Sequence, residues 1–573
     1  MADESQTEEH RGGLNGRRAL IALAVWALGA LVFFRGPIFS GFRWMTGDPG
    51  DWRLGIFLAE HWRLVLTGAA PWPWWRPPYF APAPDSMTFT DPSFGLAFPY
   101  IALRAAGLDE YVSFQLTVMA YSLAGFLAFA ALALRVARVP FALALFGAAG
   151  FAFSNMNYAK LGHPIYAPVG LLALLVLLYA RAMAALPASP RRAHLFGLLG
   201  ALLFGYLLFT CFQVAWYGAL VALATIVVLA VAMPGALRQA VGAVGPGRLA
   251  VFAAVQAALL VVAALPFLSV FAANWLGGAE RPYWAVLIYA ARPLDLFNVG
   301  GANLLWGRLV RLTGRLASPD DLNSEFGLAQ TPIVGAVFLV LLWFLWRERR
   351  RNAGDLRMPG IVAAGIAAVV LAPFAFKIGT ASGWWLLRQL VPGASAIRTP
   401  FRLQLALALP HWLLIVAGAA VLRAQLAARL AAAAPALHRA VSAGLVLLGA
   451  LMLAEQVNLA DQAWVDRPGE IARIARVPPA PPECRQFFVT STEPQRSVFA
   501  LQTDAMMIVL RERIATLNGN SGAWPPQWRL HEVHEPEYLD NVAAWARANR
   551  LDAGSGLCRL VLPGGEWSAW SPP

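Results

Sequence analysis

Asp48 and Asp51 stand in the run Trp44-Met-Thr-Gly-Asp-Pro-Gly-Asp-Trp-Arg53, with Pro49 and Gly50 forcing a turn between them. Carboxylates held at the edge of a bilayer can act as general bases or metal ligands. Structural roles compete with chemistry here: Asp48-Pro-Gly is a turn sequence, and Asp51 suits the N-cap of the segment that follows. That segment, Trp52 to Thr67, is amphipathic and carries Arg53, Glu60 and His61 near one helical face. Glu60 and His61 are candidate substrate contacts. For Glu60 the alternative is an i,i+3 pair with Arg63, worth a few tenths of a kcal/mol.

Two further stretches hold polar groups where the surroundings are apolar. Asn157-Tyr-Ala-Lys-Leu-Gly-His-Pro164 contributes Lys160 and His163, placed to face a wet cavity or to snorkel. Pro392-Gly-Ala-Ser-Ala-Ile-Arg-Thr-Pro-Phe-Arg402 contributes Arg398 and Arg402 just before an apolar helix. Two guanidiniums four residues apart at a helix start suit a phosphate; the alternative is salt bridging to the first-loop acids. Trp72, Trp74, Trp75 and Tyr79, interleaved with prolines, read as an interfacial aromatic belt or as a sugar-stacking platform.

The elements that must position these residues are membrane helices. Of 573 residues, 58% are hydrophobic and 13% charged, against about 25% charged in a soluble protein. Spans are expected at 19–34, 111–134, 139–155, 165–185, 195–212, 213–233, 249–273, 331–346, 359–376, 403–422 and 439–457. The 93–106 segment is too short and reads as re-entrant or interfacial. No cleavable signal peptide is evident, so the first run is expected to stay as a helix. With the N-terminus inside, the inner loops carry Arg135 and Arg138; Arg191 and Arg192; Arg238 and Arg248; Arg347, Arg349, Arg350 and Arg351; and Arg423, Arg429 and Arg439. The net charge of +13 is therefore a matter of membrane orientation and gives no reason to invoke nucleic acid.

The expected architecture is an all-α polytopic membrane domain, 19–457, after a cytoplasmic tail, 1–18, with a large first outer loop, 35–110. A small extracytoplasmic α/β domain, 458–573, follows. Its expected strands are Cys484–Val489 and Gly556–Leu562, with a helix over Glu535–Arg550 that has Pro536 near its first turn. Asp504–Thr516 is open between helix and strand. Cys484 and Cys558 on the two strands are expected to pair in an oxidising compartment, or else to be two separate buried thiols; Cys211 reads as a packed core residue, and metal-ligand spacing is absent.

In order along the chain, Gly-Asp-Pro-Gly-Asp-Trp-Arg with Ala-Glu-His, Thr-Asp-Pro-Ser-Phe-Gly (90–95), Gly-His-Pro (162–164), Ile-Arg-Thr-Pro-Phe-Arg (397–402) and Asn-Gly-Asn-Ser-Gly (518–522) resemble bacterial multi-pass GT-C glycosyltransferase-type proteins, including the YfhO-like group. The resemblance implies a GT-C-like membrane domain that transfers a sugar from a polyprenyl-phosphate donor to a glycan, lipid or protein acceptor. The reaction would take place on the outer face of a bacterial inner membrane. It implies a first-loop acid, Asp48 or Asp51, as the base, with Arg398 and Arg402 on the phosphate and His163, Lys160, Glu60 and His61 as further contacts. A divalent cation, Mg2+ or Mn2+, is open, because the loop has no plain Asp-x-Asp. Two other classes stay in view: a transporter or flippase for a lipid-linked saccharide, and a non-enzymatic envelope assembly protein that presents its tail.

Overall fold

The structure is a computed structural model that describes residues 16–276, 280–313, 323–348, 357–430, 434–551 and 553–572. Most of the expected cytoplasmic tail and the Arg349–Arg351 part of the basic inner loop lie outside the described residues.

Each of the eleven expected spans coincides with a helix. Among the described residues, eight helical stretches are long and apolar enough to cross a membrane: Gly16–Phe33, Glu110–Ala137, Pro164–Ala185, Phe212–Ala232, Pro246–Ala273, Arg357–Ala375, Pro400–Leu430 and Pro435–Ala454. The other three, Phe141–Ala152, Pro190–Leu208 and Pro332–Glu348, are helices of 12, 19 and 17 residues. The short segment at 93–106 is an apolar helical stretch, Phe94–Ala105.

The core of the membrane domain forms where small residues let helices close up. A Cβ on Gly125 would lie 2.8 Å from the Cα of Gly170, and one on Gly150 would lie 2.2 Å from the ring of Trp412. Such contacts admit only glycine and pull backbones together. The first pins the Pro164–Leu171 3-10 turn against the Glu110–Leu132 helix, which fixes the Lys160–His163 turn preceding it. A second fastening is Glu455, fully buried beyond the Pro435–Ala454 helix. Its carboxylate accepts from the backbone N–H groups of Ile333 (3.0 Å) and Val334 (2.7 Å) and from Trp306 Nε1 (2.9 Å), so it closes the start of the Pro332–Glu348 helix from outside.

The first large loop is mostly structured. Its main element is the Pro49–Leu66 helix. Asp48 caps it: Oδ1 accepts from the N–H groups of Gly50 (2.7 Å) and Asp51 (3.0 Å). This corrects the expectation that Asp51 is the cap. Proline at the first helical position fixes the cap one residue earlier, because its ring already supplies the helical φ and the missing N–H is not needed there. Trp52 packs edge-on to Phe114 of the bundle (5.0 Å), and Phe57 to Tyr79 of the loop (5.6 Å).

The C-terminal region is an α/β unit with a four-stranded mixed sheet in the order Ala515–Thr516, Gln486–Ser491, Leu557–Leu562, Glu566–Ala569. The first three strands run parallel and the last antiparallel. Asp504–Thr516 resolves into the end of a helix, Val498–Glu512, and the short edge strand. The later helix is Tyr538–Ala548, so Pro536 precedes it and is not in its first turn. Cys484 and Cys558 form a disulfide, and Cys211 is a buried free thiol.

This unit does not have a core of its own. Phe57, Leu58, Tyr79 and Phe80 of the first loop belong to the same buried cluster as Phe487, Phe488, Leu501, Ile508 and Trp528. Trp44–Met45 pairs antiparallel with Val465–Asp466. Arg53, fully buried on the loop helix, meets Asp504, and also Glu470 at 3.0 Å; Arg496 closes on the other oxygen of Asp504 at 2.7 Å. The first loop and the tail therefore lie on one side of the bundle and fold as one body.

Candidate active site

Three chain turns and one loop converge where the Pro49–Leu66 helix begins. Its first turn carries Asp51. The turn after the Asn155–Ala159 helix carries Lys160 and His163. The turn into the Leu403–Leu430 helix carries Arg402. The Asn323–Phe326 segment adds Glu325.

Glu325 is the hub of the group. Arg402 grips both of its oxygens, with Nε at 2.8 Å from Oε2, and Lys160 Nζ lies 2.9 Å from Oε1. Burial works against its charge, but Arg402 and Lys160 outweigh burial and hold its carboxyl well below the ordinary value. Arg402 also donates from Nη1 to the Tyr166 hydroxyl (2.6 Å), which in turn donates to Gln213 Oε1 (2.9 Å). These contacts fix the guanidinium from three directions.

His163 joins this hub to the loop acid. Its Nε2 lies 3.2 Å from Asp51 Oδ2 and 3.4 Å from Glu325 Oε1. Burial, and after it the charges of Lys160 and Arg402, push the imidazole well below its ordinary value, so the ring is neutral at pH 7. A neutral ring has one N–H, and the two carboxylates beside Nε2 place that proton there.

Asp51 differs from Glu325 in that no Lys or Arg among the described residues pairs with it. Its side chain is 40% accessible, so a substrate can reach it, while the protein packed around it limits its solvation. Burial, then the nearby Asp48, raise it to about 6, with Arg402 and Lys160 pulling the other way. Lys160 is lowered to about 8, chiefly by burial. A carboxylate near 6 beside a neutral imidazole and two fixed cations can take a proton from a hydroxyl near neutral pH, while the cations stabilise a departing anion.

Behind this group, toward the bundle, is a cavity of about 60 Å3 whose walls include Phe33, Phe34, Val118 and Tyr121, with Lys160 and His163 at its polar end. On the outer rim Arg398 stacks over the Tyr289 ring (4.9 Å) and bonds to no carboxylate among the described residues. Arg281 lies within electrostatic reach of it. Asp91, of the Thr-Asp-Pro-Ser stretch, accepts from the N–H of Phe212 at the start of the Phe212–Ala232 helix (2.8 Å) and is raised to about 6 by burial.

Of the residues singled out from sequence, Asp48, Asp51, Lys160, His163 and Arg402 come together, and Arg398 stands at the rim. Glu60 and His61 do not join them. Asp51 and Glu60 are nine residues apart, about two and a half helical turns, so they point to opposite faces. Glu60 is taken up by Arg63 (2.6 Å) and the Tyr100 hydroxyl (2.8 Å). His61 is fully buried, accepts from Trp72 Nε1 at 2.9 Å and bonds the carbonyl of Trp74 at 2.9 Å. Trp72 and Trp74 thus serve the packing of the loop. Arg402 pairs with Glu325, not with the first-loop acids that the sequence offered as its alternative partners. Glu325 itself was missed, since Asn-Ser-Glu-Phe within a long loop has no pattern that marks it.

The donor set does not fit a divalent cation. Among the described residues no group of three His, Cys, Asp or Glu side chains could hold a metal. Lys160 and Arg402 already neutralise Glu325, and a dication would have to face both.

No protein-family model and no curated protein matches the chain. Among solved structures it is similar to the Archaeoglobus fulgidus oligosaccharyltransferase in complex with zinc and sulfate (TM-score 0.49, 12% identity, covering 87% of this chain and 62% of that one). It is also similar to the oligosaccharyltransferase AglB of Archaeoglobus fulgidus in complex with an inhibitory peptide and a dolichol-phosphate (0.47, 12%, 95% and 70%). A third is ArnT from Cupriavidus metallidurans bound to undecaprenyl phosphate (0.44, 14%, 95% and 92%). The chain spans less than two thirds of the length of the first of them.

Proposed function

We propose that the chain is a membrane glycosyltransferase that moves a sugar from a polyprenyl-phosphate donor to a hydroxyl acceptor, with Asp51 as the general base. The observation that carries this reading is the Asp51 carboxylate, raised to about 6 and set 3.2 Å from His163 in a group that also holds Lys160 and Arg402. In the proposed step, Asp51 takes the proton of the acceptor hydroxyl as its oxygen attacks the anomeric carbon. The bond from that carbon to the phosphate oxygen breaks, and the electron pair leaves with the polyprenyl phosphate. Configuration at the anomeric carbon inverts. Arg398, with no carboxylate partner among the described residues, is the first contact for the phosphate. Lys160 and Arg402 add their charge from behind, through a group already ordered by Glu325, so little reorganisation accompanies the step. His163 keeps Asp51 oriented. The apolar cavity beside Lys160 lies where the first units of a lipid chain would leave the phosphate. Asp48 caps the helix and raises Asp51.

In this reading the reaction takes place on the extracytoplasmic face of a bacterial inner membrane, with the N-terminus in the cytoplasm; the arginines expected in the inner loops support that orientation. The test compares two substitutions in the full-length protein supplied with polyprenyl-phosphate sugars. Asp51→Asn is expected to lower transfer by about 10²-fold or more, and Asp48→Asn to retain most of it. Equal transfer by Asp51→Asn and the unmodified protein, both correctly folded, would refute the assignment.

A further inference from the structure

The lip of the candidate site is built by the tail. The Asn518–Gly522 loop presses onto the first large loop at several points. A Cβ on Gly519 would lie 2.6 Å from the Phe80 ring, so only glycine lets the strand end come this close. Ser521 Oγ and the N–H of Ala523 both donate to the carbonyl of Phe89, the latter at 3.2 Å. Asn520 Nδ2 is 3.4 Å from where a Cβ on Gly50 would stand, between the two loop acids. On the far side Arg281 Nη2 donates to the carbonyl of Gly522 (2.6 Å). The loop thus runs from the Asp48–Asp51 turn to the rim guanidiniums of Arg281 and Arg398.

The next residues leave this clamp and turn outward. Trp524 is 48% exposed. Its ring stacks on His531 (5.7 Å, 23° between planes), and His531 leans on Trp528 (6.0 Å). Trp528 is buried and donates from Nε1 to the carbonyl of Leu517 (2.9 Å), while Gln502 holds the carbonyl of His531 (3.2 Å). The stack is therefore fixed to the sheet before any ligand arrives, which limits the ordering cost of binding. Along the segment that follows Trp524 the exposed residues up to 535 are Pro526, Gln527, Arg529, His531, His534 and Glu535, all but the proline polar or charged.

A single rigid apolar face with hydrogen-bonding groups at its edges matches a sugar ring, which has C–H groups on its faces and hydroxyls around its rim. A bilayer surface would need a contiguous apolar patch, and the exposed residues of this segment are mostly polar or charged. We infer that Trp524 and His531 form a saccharide subsite at the mouth of the candidate active site, which makes the acceptor a glycan chain and not a peptide or a phospholipid. The acceptor part of this inference rests on the transferase reading above; the subsite itself does not.

The test uses the full-length protein in lipid nanodiscs and saturation-transfer difference NMR with maltotriose, chitotriose, xylotriose and mannotriose. At least one trisaccharide is expected to receive saturation mainly on the C–H protons of one ring face. Its affinity should fall by about tenfold or more in Trp524→Ala, less in Trp524→Phe, and not at all in Trp75→Ala. Thermal melting separates loss of the subsite from loss of the fold, and Trp524→Phe keeps an aromatic ring at the position should the alanine variant unfold. The proposal is overturned if no trisaccharide shows Trp524-dependent transfer. It is equally overturned if Trp524→Ala weakens binding of an acceptor-type peptide or of phosphatidylglycerol vesicles and leaves the sugars unaffected. Sugar binding that persists while Asp51→Asn retains full transfer would sink the base assignment and leave the subsite standing.

Discussion

If Asp51 is the base, the rate of transfer must rise with pH as its carboxylate ionises, with a midpoint near its value of about 6. Asp48→Asn perturbs that midpoint cleanly. Asparagine caps a helix about as well as aspartate, so the Pro49–Leu66 helix should remain while one negative charge disappears. Asp48 Oδ1 lies 3.0 Å from the backbone nitrogen of Asp51, which puts the two carboxylates roughly 6 Å apart. At that separation, an effective dielectric constant between about 20 and 80 gives a repulsion of about 0.7–2.8 kcal/mol, or about 0.5–2 pH units. Burial ranks above Asp48 among the causes of the rise from 3.8 to about 6, so the lower part of that range applies, roughly 0.5–1 unit. The limb should therefore move to about 5–5.5, and at pH 5.5 the variant should work at about two to three times the unmodified enzyme's fraction of its own plateau. The assay is the initial rate of transfer from a polyprenyl-phosphate sugar between pH 4.5 and 8.5 (on the order of ten points across the expected midpoint), each profile normalised to its plateau. A limb that stays in place or moves upward in a variant with unchanged melting behaviour would refute the electrostatic reasoning. A limb that survives in the residual activity of Asp51→Asn would assign it to another group.

Two further outcomes follow from buried charge. Glu325→Gln leaves Lys160 and Arg402 buried without a counter-charge; a loss of about 3–5 kcal/mol is expected, read as a lowered melting temperature together with lost transfer, and Glu325→Asp should recover part of both. Asp504→Asn removes the carboxylate shared by Arg53 and Arg496, with a loss of similar size expected. Here the readout is faster tryptic cleavage in the tail and around Arg53, and unchanged cleavage kinetics would show that the apolar contacts alone hold the two parts together.

The membrane helices were readable because apolar length is a strong signal, and the convergence on one side was readable because Asp51, Lys160, His163 and Arg402 are polar residues at the ends of apolar runs. That Asp48 is the cap was also within reach of sequence, since proline at the first helical position sets the cap. Glu60 and His61 misled for a geometric reason. They share an amphipathic helix with Asp51, and its polar stripe looked like one surface. In the fold that helix is packed between the bundle, the loop and the tail, so its polar residues meet different partners. Glu325 could not be found this way, because what makes it notable is the set of groups it meets from distant parts of the chain. The shared core of the first loop and the tail was equally hidden, since Phe57, Leu58, Tyr79 and Phe80 read as ordinary apolar residues of their own segment.

That shared core sets an order on biosynthesis. The helix bearing Asp51 leaves the ribosome early, but Leu501, Ile508 and Trp528, which cover its apolar side, and Asp504, which meets Arg53, are made some four hundred and fifty residues later. Until those residues have been made, the early segment waits with Phe57 and Leu58 uncovered and Arg53 uncompensated. A half-made chain thus lacks the cover of its first loop, and the surroundings of the candidate site are complete only once nearly the whole polypeptide has been made.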